Sequence, residues 1–187
     1  MSCTRMEPLT PPFEPKVANS LAKMMGGRDV EPLALFRTLL HNFEAGDRIR
    51  PLGSYLLTHG QLLARERELV ILRVCARAAC EYEWGVHVSQ FSRDAGLSEE
   101  EIEGTVLSLP CDPRWGDRER TLIAIADELH NWGHVTDHTW MQLRAGWSEA
   151  QILELLMLAG WYHMIAYVAN GTHVALEPWA PRFPRAA

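Results

Sequence analysis

No stretch of this chain runs to 18 consecutive apolar residues, and its proline-rich N-terminus has no apolar core of the kind a signal peptide carries. The expectation is a protein that neither spans a membrane nor is exported. Positive charge is in deficit, with 18 Lys and Arg against 24 Asp and Glu for a formal charge of −6. That balance argues against nucleic acid or an anionic membrane as the main partner. Cysteine is sparse and irregularly placed, at Cys3, Cys75, Cys80 and Cys111, with no C-x-x-C and no metal-finger spacing. Reduced thiols in a cytoplasmic protein are expected. No segment alternates at period two between hairpin turns, so strands are not expected. There is no phosphate loop, no Gly-rich dinucleotide motif and no G-x-S-x-G elbow, so neither a nucleotide cofactor nor a serine triad is indicated.

What is present reads as one helical domain. At 187 residues, 47% hydrophobic and 22% charged, the chain is large enough to bury a proper core. Seven Trp suit aromatic-lined pockets or interfaces, or simply large core residues. Residues 1–28 form a poorly patterned arm, where Pro8, Pro11, Pro12 and Pro15 oppose helix and Gly26-Gly27 ends whatever forms over residues 17–25. A helical pattern begins at Pro32, with Leu33, Leu35, Phe36, Leu39, Leu40 and Phe43 at three- and four-residue steps. A second helix is expected over residues 52–63, entered through Arg50-Pro51, with Gly60 ending or loosening it. The next, from Ala64, is apolar on nearly every face and belongs at the centre of the fold. Ala95-Gly96-Leu97 reads as a C-terminal cap, and Ser98 with Glu101 as a capping box. Pro110, Pro113 and Gly116 mark a loop, after which Asp117 caps a helix over residues 118–130. Ser148 with Gln151 caps another, over residues 152–167. Residues 177–187 form an extended tail whose Trp179 and Phe183 should lie against something, a neighbouring subunit being one candidate. The class is all-α, with about eight helices.

The chemistry concentrates in ELVILRVCARAACEYEWGVH, residues 68–87, where an apolar run broken only by Arg73 and Arg77 leads into Cys80, Glu83 and His87. At i, i+3 and i+7 on a helix these three fall within roughly a 60° wedge. A thiol, a carboxylate and an imidazole would share one small volume. If a new helix starts at Cys80, its free N–H groups and dipole favour thiolate. Glu83 and His87 are an i, i+4 pair, in which the carboxylate can orient the imidazole and raise its pKa for acid–base work near neutral pH. The blander account is a solvated Glu–His pair beside a small buried cysteine. His130, His134 and His138 recur at four-residue steps, but Gly133 and the segment after it look like a helix end and a new cap, so no metal site is expected. Trp161, Tyr162 and His163 follow Gly160 on an apolar helix and are either core or pocket residues.

The block RERELVILRVCARAACEYEWGVHVSQFSRDAGLSEEEI closely resembles the carboxymuconolactone decarboxylase family, which includes alkylhydroperoxidase D-like proteins. ADELHNWGHVTDHTW and LEPWAPRFP resemble its longer single-chain branch, and the likeness runs over residues 33–183. The resemblance implies an all-α domain over residues 29–176 that forms homo-oligomers in which neighbouring subunits complete the core. Alkylhydroperoxidase members carry a glutamate, eleven residues, C-x-x-C, three residues and a histidine. Here Glu68, Cys80 and His87 match, and Glu83 replaces the second cysteine. Cys75 lies about 140° round a continuous helix from Cys80, so it does not substitute for that thiol. The decarboxylase members rely on acid–base residues, and this sequence leans their way. The resemblance also brings Glu68 to the site, although twelve residues of straight helix would hold it about 18 Å from Cys80. That requires a turn near residues 78–80 which no Gly or Pro announces.

The expected function is therefore a cofactor-free acid–base enzyme, a decarboxylase, lyase or isomerase acting on a small unsaturated acid, lactone or enol. His87 would move the proton, Glu83 and Glu68 would set its charge, Cys80 would shape or polarise the pocket, and Trp84, Trp161, Tyr162 and His163 would bind substrate. The alternatives are a thiol peroxidase using Cys80 and a non-catalytic oligomeric binding protein.

Overall fold

A computed structural model describes residues 4–185. Cys3 and the last two residues of the expected tail lie outside the described residues. The helix from Ala64 to Arg77 has Leu69, Val70, Ile71, Leu72, Val74 and Cys75 all fully buried, and the other helices pack around it. In chain order the helices are α1 (Pro15–Met24), α2 (Ala34–Leu39), a 3₁₀ turn (Leu40–Asn42), α3 (Phe43–Thr58), this central α4 (Ala64–Arg77) and α5 (Glu81–Phe91). Then come α6 (Glu99–Leu107), α7 (Asp117–Trp132), α8 (Asp137–Gly146) and α9 (Glu149–Thr172). No strand occurs among the described residues. Helices α5, α6, α7 and α9 all pack directly on α4. Arg73, deeply buried on α4, is matched by a fork on Asp127 (2.6 and 2.7 Å) and by the Thr105 and Ser108 carbonyls, which is what makes a buried guanidinium tolerable.

Local signals place several helix ends where the sequence expects them. Ser98 and Glu101 form a reciprocal capping box at α6, as do Ser148 and Gln151 at α9. Gly96 has φ 65°, the left-handed conformation a helix-ending glycine adopts. Three expectations need correction. Pro15 does not prevent a helix but opens α1, because a first-turn residue needs no N–H; Val17 and Leu21 then pack on Leu40 in a small cluster of their own. Pro51 does not start a helix but lies inside α3, which runs on to Thr58. The loop after α3 is held by the buried Glu154 carboxylate, which accepts from Gln61 and Leu62 N–H. Helix α9 is also longer than residues 152–167. It is long and apolar enough to cross a membrane by length and composition, yet half of its most apolar window is buried in the fold.

The turn between α4 and α5 positions the site. Ala78 ends α4, Ala79 takes φ 51°, Ala79 N–H donates to Ala76 O (3.1 Å) and Cys80 N–H to Cys75 O (2.8 Å). These are the two bonds of a Schellman motif, built on alanine where glycine is usual. The left-handed alanine costs roughly 1 kcal/mol, and the Asn170 amide ties down the Ala78 carbonyl at 2.8 Å. The chain then reverses so that α5 lies along α4.

The extended tail lies against its own chain. Phe183 packs against Trp84 with centroids 5.3 Å apart and the rings tilted by 58°, and its N–H donates to Glu81 (2.8 Å). A Cβ on Gly85 would overlap the Pro181 carbonyl, so glycine lets the tail close on α5. Glu177 accepts from the Tyr82 hydroxyl (2.6 Å) and from Ala34 N–H (2.8 Å), linking tail, α5 and the start of α2.

Candidate active site

The reversal at Ala79 brings Glu68, near the start of α4, against His87, near the end of α5. His87 Nδ1 lies 2.7 Å from Glu68 Oε2, and Glu68 is fully buried. Since an ionised carboxylate only accepts, Nδ1 carries the proton and donates it. The other oxygen, Oε1, accepts from Arg67 Nε at 3.0 Å. Across the ring, His87 Nε2 faces Glu83 Oε2 at 3.6 Å, one turn back on the same helix. That distance is too long for a direct hydrogen bond, so a third atom can approach both groups. Tyr162 of α9 meets the imidazole edge-on at 5.0 Å, and Phe91 lies at 4.9 Å.

Burial opposes charge on His87, but the charge and hydrogen bond of Glu68, joined by the charge of Glu83, outweigh it and hold the imidazole above its ordinary value. Burial and the Glu68 charge raise Glu83, with His87 pulling the other way. The site thus has an imidazole biased toward its cationic form facing a carboxyl group biased toward holding a proton, the pairing from which proton relays are built.

Glu83, His87 and Tyr162 line a cavity of about 870 Å³. Its other walls come from the α1–α2 connection, α2, α3, α9 and the tail, including Phe36, Leu57, Trp161 and Trp179. Trp161 packs closely against α3 at Gly53, where a Cβ would come within 2.5 Å of its ring.

Of the residues named from sequence, Glu68, Glu83 and His87 are brought together, and Trp161 and Tyr162 face the same cavity. Cys80 is not among the cavity-lining residues; it caps α5, fully buried. Its helix-start position does not favour thiolate as expected, because burial pushes the thiol up to about 12, against weaker help from the Glu83 and Tyr82 backbone N–H groups. Trp84 is not a cavity residue either; it is buried, donates to Thr105 Oγ1 (3.0 Å) and packs against Phe183. His163 points away to pair with His130, Nε2 to Nδ1 at 3.1 Å. His130, His134 and His138 are divided between α7, the turn after it and α8, and no group of three or more metal-ligating side chains converges among the described residues. Sequence reasoning missed Arg67, which balances Glu68, and the whole α1–α3 wall with Arg50 and Gly53. Only the placement of Arg67 beside Glu68 could have been a signal.

The sequence profile of the carboxymuconolactone decarboxylase family matches residues 44–128, which holds all of α4 and α5. No curated protein matches the chain. Among solved structures, the chain is similar to an uncharacterised peroxidase-related protein from Silicibacter sp. TM1040. The TM-score is 0.78 at 17% identity, over 95% of this chain and 93% of the other. It is similar to the debrominase Bmp8 in its apo form, TM-score 0.71 at 12% identity, over 95% and 94%. It is also similar to a protein of unknown function from Agrobacterium tumefaciens, provisionally described as antioxidant defence protein AhpD. There the TM-score is 0.65 at 24% identity, over 72% of this chain and 91% of that one.

Proposed function

We propose that the chain is a member of the carboxymuconolactone decarboxylase family, whose profile matches residues 44–128, and that it is an acid–base enzyme, a decarboxylase, other lyase or isomerase that works without a cofactor on an unsaturated acid, lactone or enol. The observation that carries this reading is His87 held between Glu68 and Glu83 at the wall of a large cavity. Glu68 fixes the imidazole orientation and its Nδ1 proton, leaving Nε2 toward the cavity. In an isomerisation the Glu83 carboxylate takes a proton from a carbon next to the substrate carbonyl, the electron pair enters the conjugated system, and His87 Nε2–H returns a proton at the distant carbon. In a decarboxylation the bond to the departing CO₂ breaks, its electron pair forms the enolate, and His87 protonates that enolate. Placed proton transfer of this kind contributes about 10²- to 10⁴-fold.

The peroxidase reading is weaker for this chain. It requires a reactive thiolate and a resolving thiol, and here Cys80 is buried with its thiol pushed up to about 12, while Glu83 occupies the place of the second cysteine.

The deciding experiment incubates the protein in D₂O with β,γ-unsaturated acids and unsaturated lactones and follows deuterium incorporation by NMR. Incorporation that His87→Gln abolishes and Cys80→Ser leaves intact supports the acid–base reading. Brisk peroxide reduction that Cys80→Ser abolishes replaces it with the thiol one.

Self-association belongs to the same proposal. Along the outer face of α9, Leu153, Met157 and Tyr167 are 58%, 41% and 70% exposed. Beside them on α8, Trp140 and Met141 are also exposed. Apolar surface of that extent on two adjacent helices is what a second copy would cover. A cytoplasmic setting suits the unpaired Cys75, Cys80 and Cys111.

A further inference from the structure

The cavity is far larger than a small acid needs. About 150 Å³ of apolar space already holds a benzene ring, and the roughly 870 Å³ here lies toward the upper end for sites that enclose drug-sized molecules, about 300–1,000 Å³. Its walls are mainly apolar and aromatic, with the catalytic carboxyl and imidazole at one side. The remaining charge on the lining has one dominant sign: Lys23, Arg28 and Arg50 against Glu31 alone, in a chain whose net charge is −6. Glu31 is turned outward, with a side chain 81% exposed that pairs with Arg37 at 3.3 Å.

Among these cations Arg50 combines partial burial with unpaired terminal N–H groups. It is the least exposed of the three, its side chain 23% exposed. Its Nε donates to Asp47 Oδ1 (3.3 Å), and that same oxygen accepts from Ser20 (2.8 Å), so α1 and α3 together fix one edge of the guanidinium. Asp47 does not line the cavity; Arg50 does. The two terminal amino groups of Arg50 have no protein partner among the described residues, and a guanidinium edge with two free N–H groups matches a planar carboxylate. Arg28, by contrast, has its Nε on the Met25 carbonyl and Nη1 on Gln90.

We infer that the cavity takes a carboxylic acid with a bulky apolar or aromatic body, its carboxylate on Arg50 and its body against Trp161, Phe36 and Leu57, and that Arg50 is a specificity-determining residue. This rests on the acid–base reading for the position of the reacting carbon beside His87 and Glu83. The binding claim can be tested without turnover. Calorimetric titration compares 2-naphthoate with the small acid crotonate and with neutral 2-naphthamide, in the unmodified protein and in Arg50→Gln and His87→Gln.

The expected result is 2-naphthoate at least tenfold tighter than either comparison ligand. Arg50→Gln should remove the advantage of acid over amide while leaving the amide affinity unchanged, and added salt should weaken the acid alone. His87→Gln should keep the acid preference, so a failure of the catalytic reading leaves this result standing and is distinguishable from a failure of the binding claim. The inference is overturned if crotonate binds as tightly as 2-naphthoate, if amide and acid bind equally, or if Arg50→Gln preserves the preference. The acid-against-amide comparison in the unmodified protein does not depend on how well the variant folds.

Discussion

Glu68 and His87 are nineteen positions apart and meet at 2.7 Å, Oε2 to Nδ1, only because Ala79 turns left-handed between their helices. The contact is a buried carboxylate–imidazole pair with Arg67 behind it and Glu83 in front. Its charge state and its geometry are therefore linked to the stability of the whole helix pair.

The first consequence is a pH dependence. His87 has a folded-state pKa raised above its ordinary 6.5, and Glu83 is raised above its ordinary 4.5. In both cases the native state binds protons more tightly than the unfolded chain. The resulting stabilisation is fully present below the ordinary values and is lost as pH rises through the folded ones. Urea unfolding of the wild type should therefore show stability falling from pH 6.5 upward, and His87→Gln should flatten that slope. A wild-type slope of opposite sign across this window would contradict the assignment.

Replacing His87 by alanine should be costly. The change would leave Glu68, which is fully buried, with Arg67 alone, and breaking a buried ionic pair by removing one partner costs about 3–5 kcal/mol. A melting temperature lowered by several degrees is expected, with a smaller loss for His87→Gln. Turnover comparisons belong to the glutamine variant for that reason.

At Ala79 the backbone is strained for any L side chain. Ala79→Gly should stabilise the protein by up to about 1 kcal/mol, since relief of the left-handed penalty is partly offset by the greater freedom of glycine in the unfolded chain. Ala79→Val should destabilise it by more than that. Denaturant midpoints measure both, and a destabilising glycine would mean that the turn differs from the one described.

Thiol chemistry should separate the cysteines by burial. Cys75 and Cys80 are fully buried, with Cys80 pushed up to about 12, whereas Cys111 is exposed. Iodoacetamide under native conditions at pH 7.5 should label Cys111 and spare the other two, as read by peptide mass mapping. Rapid labelling of Cys80 would restore the case for a thiol mechanism.

The outer face of α9 predicts association. Light scattering at micromolar concentration should report a mass above the 21.2 kDa monomer, and Tyr167→Glu, which places a charge on a residue 70% exposed, should shift it toward monomer without lowering helical content. A wild-type monomer would remove the claim.

The sequence by itself determined what depends on residues close together in the chain. The capping boxes at Ser98 and Ser148, the left-handed Gly96, the apolar run Leu69–Leu72 of α4 and the i, i+4 pairing of Glu83 with His87 are all features within one or two helical turns. Propensity and periodicity suffice to specify such features, and with them the all-α class. Where a local rule has two outcomes, tertiary packing chose: Pro15 opens a helix and Pro51 is carried through one. Tertiary structure also decided which side of each helix faces the cavity, and so separated Trp161 and Tyr162 from Trp84 and His163. It decided the Cys80 thiol as well, because burial outweighs the helix-end donors there. The meeting of Glu68 with His87 depends on an alanine in a glycine's conformation, held by two backbone bonds and by Asn170 from the far end of the chain. A turn whose strain is offset by distant contacts leaves no local signature, and for that physical reason only the folded chain displays it.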